Sequence, residues 1–160
     1  MTVTPLQITR MMAAVANDGW LVTPHVIQRT GLAGSRTSTP RSAAHRYPPR
    51  KIPGLTAGTL ERVREGLTQV VASRRGTGYR TVRLDHISIA GKTGTAEAGP
   101  GQQDHAWFAG YAPADRPRIA FTVVLEHAGS GSKAAGPLAR ELVQSLLELG
   151  ILESTSLAER

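Results

Sequence analysis

Cysteine is absent from the 160 residues, so neither a disulfide framework nor a thiolate metal site can be built. That absence leaves the compartment open. Aromatic residues make up only 4% of the chain, so a core has to be assembled from Leu, Ile, Val and Ala. No apolar run approaches the roughly 18 residues of a helical membrane span, and the N-terminus lacks a basic segment followed by an apolar stretch. A soluble chain is expected. Acidic residues are outnumbered, twelve against nineteen Lys and Arg, sixteen of them Arg, which leaves a charge of +7. A polyanionic partner would suit that charge, but the bases are dispersed and no stacking-aromatic or groove-helix pattern accompanies them. Nucleic acid is not an expected partner. The length suits one compact domain.

The chain opens with helix signals. Thr4-Pro5-Leu6-Gln7 combines an N-cap threonine, proline at the first helical position and a glutamine placed for a capping box. Ile8, Met11, Met12 and Val15 then form one apolar stripe, and Asn17-Asp18-Gly19 supplies a stop. Trp20 to Ile27 reads as a brief extended segment broken by Pro24. Residues 31–53 turn to Ser, Thr, Arg, Pro and Gly, a surface loop expected to contact the core little. Leu60, Val63, Leu67, Val70 and Val71 restore helical spacing, closed by Arg74-Arg75-Gly76, with Gly66 either weakening that helix or marking close packing. Strands follow at roughly Ile87 to Thr95, His105 to Ala112 and Pro117 to Glu126. The turn Pro113-Ala114-Asp115-Arg116-Pro117 makes the last two a hairpin. Gly136-Pro137 opens a final helix with Leu138, Leu142, Leu146 and Leu149 about one face. The expected fold class is α+β, a mainly antiparallel sheet with flanking helices.

The chemistry concentrates in Ala90-Gly91-Lys92-Thr93-Gly94-Thr95-Ala96-Glu97. Gly91-Lys92-Thr93 matches the end of a phosphate loop, but the glycine that motif needs five positions earlier is His86, and the preceding residues look like strand. An NTP-binding protein is therefore a remote alternative. The other reading is the Lys-Thr-Gly element of the serine acyltransferases that bind penicillins. A lysine ammonium on a strand edge attracts a carboxylate, glycine lets substrate approach, threonine offers a hydroxyl, and a backbone N–H can serve as an oxyanion donor.

Four stretches in this order carry a resemblance: Thr4-Pro5-Leu6-Gln7 with Ala16-Asn17-Asp18-Gly19, then Gly76-Thr77-Gly78, then Gly91 to Glu97, then His105-Ala106-Trp107-Phe108-Ala109-Gly110-Tyr111-Ala112-Pro113. Together they resemble the transpeptidase domain of class B penicillin-binding proteins, over about residues 1–150, with 31–53 as a variable loop and 151–160 as a tail. The resemblance implies the C-terminal part of a penicillin-binding/β-lactamase-like fold. It implies a peptidoglycan D,D-transpeptidase, in which a serine attacks the penultimate D-alanine carbonyl of a stem peptide and passes the acyl group to a neighbouring amine. Carried over residue by residue, Lys92 steers the terminal carboxylate and tunes the proton network. Thr93 and Thr95 line the strand edge, the Thr95 hydroxyl on the carboxylate and its N–H in the oxyanion hole. Gly94 provides clearance, while Trp107 and Phe108 are packing residues. No cofactor or metal is implied. Partners would be stem peptides, β-lactams and cell-wall synthesis proteins, on the extracytoplasmic side of the inner membrane.

The family's other two motifs are not in place. Asn17 is the only asparagine and follows Val15 by two positions, so Ser-x-Asn is absent. The one Ser-x-x-Lys, Ser130-Gly131-Ser132-Lys133, lies in a glycine-rich turn after Lys92, whereas the nucleophile belongs at the start of a buried helix. It reads as chance. The simplest expectation is a chain that starts inside the domain, with the missing N-terminal half as partner and some apolar surface left exposed. No complete catalytic set is present, and the chain alone is expected to be inactive. A non-catalytic remnant that binds stem peptides or a partner is the alternative.

Overall fold

The capping box at the first helix forms in both directions. Thr4 Oγ1 accepts the Gln7 N–H at 3.3 Å while Gln7 Oε1 accepts the Thr4 N–H at 2.8 Å, satisfying two donors that have no partner inside the helix. Helix α1 runs Pro5–Ala16 and ends as Asn17 N–H reaches Ala13 O, with Asp18 and Gly19 both at positive φ. The structure, a computed structural model, describes residues 2–26, 29–30, 41–42 and 47–154. Short strands β1 (Trp20–Leu21), β2 (Arg29–Thr30), β3 (Arg41–Ser42) and β4 (Arg50–Lys51) come next, β1 pairing with β4 and β2 with β3, both antiparallel. The extended segment expected from Trp20 is a strand only at its first two residues, and Ile27 lies outside the described residues. Most of the loop expected at 31–53 also lies outside them, at 31–40 and 43–46. Its end differs from expectation, because Arg50–Lys51 is a strand held by β1.

Helix α2 (Ala57–Ala72) starts on Thr56, whose side chain accepts the Thr59 N–H. It closes on Ser73, so Arg74 and Arg75 stand beyond the last turn rather than inside it. Gly66 has open space where a Cβ would be, which leaves the weakening reading and removes that of close packing. Arg64 ties α2 back to α1: its Nε donates to Val15 O at 2.7 Å and its Nη2 to Asp18 Oδ1 at 2.8 Å. That hydrogen bond, and then the charge behind it, hold the Asp18 carboxyl below the usual carboxylate range.

The sheet is β5 (Ala90–Ala96), β6 (His105–Ala112) and β7 (Ile119–Leu125), antiparallel throughout and in that spatial order. The expected first strand starts three residues late; Ile87 and Ile89 are buried core residues without strand pairing. Alternation sorts the faces. Thr93, Phe108 and Val123 share one face in register, as do Gly91, Gly110 and Phe121. On that side Phe108 and Phe121 join Val71, Val82, Ala135, Ala139 and Val143 in the core. Helix α3 (Ala135–Glu148) therefore covers this face. On the other face lie Lys92, Ala109 and Thr122, and α1 is docked there, with Thr9 Oγ1 donating to Thr122 Oγ1 at 2.8 Å.

The leucine stripe expected on the last helix is not its buried side. Ala135, Gly136, Ala139 and Val143 are buried, whereas Leu138, Leu142 and Leu149 are exposed and Leu146 is partly buried. Small residues let the helix axis approach a sheet face already filled by two phenylalanine rings. On α1, Met12 is buried and Met11 is exposed, narrowing that stripe as well. No described helix is long and apolar enough to cross a membrane.

Candidate functional site

Strand β5 carries all four residues singled out from the sequence, Lys92, Thr93, Gly94 and Thr95, in one continuous extended run. It is the outer strand of the described sheet, so one row of its backbone donors and acceptors has no strand partner among the described residues. Gly91 is where a side chain cannot be placed. A Cβ there would meet the Phe108 ring at 2.5 Å and the Ala109 carbonyl at 2.6 Å, so glycine is what lets Phe108 lie across the strand. This settles the phosphate-loop alternative. That motif needs a glycine-rich turn opening a helix N-terminus, and here Gly91-Lys92-Thr93 pairs with Gly110, Ala109 and Phe108 inside a sheet.

Period-two alternation puts Lys92 and Gly94 on the α1 side and Thr93 and Thr95 on the other. The Lys92 side chain is exposed, and its ammonium donates to Thr93 O at 2.7 Å. Beside it a groove of about 320 Å³ runs between α1 and the sheet, lined by Val3, Ile8, Met12, Gly94, Ala96 and Trp107. Gly94 stands opposite Trp107, and a Cβ on Gly94 would come within 3.2 Å of the Trp107 Cβ. Trp107 Nε1 is buried without a hydrogen-bond partner among the described residues. Phe108 is fully buried, so packing is its role, whereas Trp107 is a wall of the groove.

On the opposite side the two threonines differ. Thr93 is 9% exposed and shares a hydrogen bond of 2.8 Å between its Oγ1 and Thr77 Oγ1. It is turned inward rather than lining the open edge. Thr95 is exposed, and its Oγ1 accepts the Gly131 N–H at 3.3 Å. Ser132 Oγ in turn donates to Thr77 O at 2.6 Å. Three segments far apart in sequence thus meet at β5: the 76–78 loop, the strand itself, and the turn before α3.

Sequence reasoning did not find this convergence. Gly76-Thr77-Gly78 was visible as a motif without a role, and Ser130-Gly131-Ser132-Lys133 only as a formal Ser-x-x-Lys. The Ser130 carbonyl accepts the N–H groups of Lys133 and Ala134 at the approach to α3, and no hydrogen bond joins the Ser130 hydroxyl to the Lys133 ammonium among the described residues. A nucleophile and base pair needs that reach. Among the described residues no group of three or more His, Asp or Glu side chains is placed to hold a metal ion.

Residues 1–144 match the sequence family described as penicillin binding protein transpeptidase domain. The chain is 38% identical over 157 residues to the peptidoglycan D,D-transpeptidase MrdA of Acinetobacter baumannii, and 34% identical over 160 residues to the protein of that name from Haemophilus influenzae. These matches take in 86% and 91% of this chain but 22% and 24% of the two relatives. The crystal structure of the D,D-transpeptidase domain of a peptidoglycan glycosyltransferase from Eggerthella lenta is similar at a TM-score of 0.76 and 31% identity, over 94% of this chain and 33% of that one. The chain thus spans a third or less of the length of each of these three proteins.

Proposed function

Because this chain belongs to the penicillin-binding protein transpeptidase domain family, we propose that it supplies the substrate strand of a peptidoglycan D,D-transpeptidase while the nucleophilic serine comes from outside these 160 residues. The observation that carries the reading is β5 itself, an outer strand with Lys92 on one side, the Thr95 hydroxyl on the other and glycine between them. A stem peptide laid along this edge would set its terminal carboxylate near the Lys92 ammonium and the Thr95 hydroxyl. The Thr95 N–H would face the oxygen of the attacked carbonyl. Gly94 keeps the approach clear. Residues 1–150 would form the C-terminal portion of the transpeptidase domain.

The serine-bearing part of the domain is the proposed partner. Its seat would be the groove beside Lys92, where Val3, Ile8, Met12 and Trp107 offer apolar contact. Stem peptides and β-lactams would bind the assembled site, on the extracytoplasmic side of the membrane. In an enzyme assembled from this chain and the serine-bearing segment, Lys92→Ala should slow acylation by penicillin about 10²-fold or more, the usual effect of losing a positioned electrostatic group. An effect below threefold, with the variant's melting temperature unchanged, would remove Lys92 from the site. The lack of a nucleophile also favours a second reading, a non-catalytic module that binds stem peptides. Mixing the two parts separates them: restored acylation supports the split enzyme, and binding without acylation supports the module.

A further inference from the structure

We infer that the turn at residues 129–133 forms a third wall of the carboxylate subsite, with the Gly131 N–H setting the Thr95 hydroxyl as an outward donor and Ser132 acting as the positioning residue. This rests on the reading of β5 as the substrate strand.

A threonine hydroxyl has one hydrogen to give and two lone pairs to receive with. Gly131 N–H occupies a lone pair of Thr95 Oγ1 at 3.3 Å. The hydroxyl hydrogen is then left to point elsewhere, and no acceptor for it stands among the described residues. Thr95 is exposed, so a carboxylate beside the strand can be that acceptor. An N–H donating to an O–H that donates onward forms a chain in which each bond strengthens the next. Thr93 takes the opposite part. Its hydroxyl is buried and committed to Thr77, which anchors the strand rather than meeting a ligand.

The turn has little freedom to leave this position. A Cβ on Gly131 would overlap the carbonyl oxygens of Gly94 and Trp107, so only glycine brings the residue 131 N–H this close to the sheet. Ser132 then fastens the turn to the 76–78 loop through its 2.6 Å bond to Thr77 O, and Thr77 fastens that loop to β5. Gly131→Ala is expected to disrupt folding, which makes Ser132 the informative position.

The test is an NMR titration of the ¹⁵N-labelled 160-residue chain with acetyl-D-alanyl-D-alanine and with its C-terminal carboxamide. The free acid should move the amide resonances of Lys92, Thr95 and Gly131 together, and the carboxamide should not. Ser132→Ala should weaken binding of the free acid about three- to tenfold, the effect of one hydrogen bond. Ser132→Thr, which keeps the hydroxyl, should restore it. Movement of Lys92 and Thr95 with Gly131 unmoved would overturn the inference and spare the strand reading. So would a Ser132→Ala variant that binds the free acid as tightly as the parent chain. No response along β5 to either peptide would remove the strand reading and this inference with it.

Discussion

Gly91 and Tyr111 show how single residues carry opposite kinds of information. Gly91→Ala forces a methyl group into the Phe108 ring and the Ala109 carbonyl. Overpacking of this kind costs about 1–3 kcal/mol, so thermal unfolding should show a clear drop in midpoint; an unchanged midpoint would mean that the ring moves aside freely. Tyr111 is fully buried, its hydroxyl has no partner among the described residues, and burial pushes its phenol above the ordinary range. Tyr111→Phe removes a buried, unpaired polar group that costs about 1–3 kcal/mol to leave unmet. The variant should unfold at equal or higher denaturant concentration than the parent, and a lower midpoint would reveal a bond to that hydroxyl. Lys92, Gly94 and Thr95 could be singled out as candidates because the chemistry proposed for them depends on residue type and short spacing. Gly131 and Ser132 were not, since a contact between positions 36 residues apart leaves no periodic trace in a sequence.

Helix α1 was readable from its cap, and its far end owes much to one partner on α2. Arg64 holds the Val15 carbonyl and the Asp18 carboxylate together. The lowered Asp18 pKa means that the folded state favours the ionised form. That contribution is complete above the unfolded-state value, near pH 4, and is lost as pH falls through the lower folded value. Asp18 is largely exposed and solvent screens the pair, so the ionic part is at most about 1 kcal/mol. Urea midpoints of the wild type should hold from pH 7 to 5 and fall below pH 4, and Asp18→Asn should lose part of that fall. Identical acid profiles would show that the pair contributes nothing. Helix α3 was readable as a helix, but its buried side was not, for a physical reason. Leucine spacing marks an apolar face, but the surface it meets decides which face is buried, and two phenylalanines beneath it favoured Ala139 and Val143. Substituting Leu142 by Gln should therefore change stability by less than about 0.5 kcal/mol, whereas Val143→Ala should lower the unfolding midpoint measurably.

The order of elements and the antiparallel hairpin follow from turn residues and alternation, which is why the α+β arrangement could be read ahead of the structure. The pairing of Trp20–Leu21 with Arg50–Lys51 could not, because two-residue strands carry too little pattern. The molecule that results presents the outer strand β5, the proposed substrate strand, beside an apolar groove and leaves Leu138, Leu142 and Leu149 exposed on α3. Acylation needs a nucleophile, a base and an oxyanion site, and the roles proposed for Lys92 and Thr95 amount to a carboxylate anchor and one oxyanion donor. Mass spectrometry after incubation with a labelled penicillin tests that division of labour most directly. The 160-residue chain alone should remain at its unmodified mass, and an equimolar mixture with the serine-bearing segment should gain one adduct, on that segment. A stoichiometric adduct on Ser130 or Ser132 of this chain by itself would contradict the account and make the chain an enzyme in its own right.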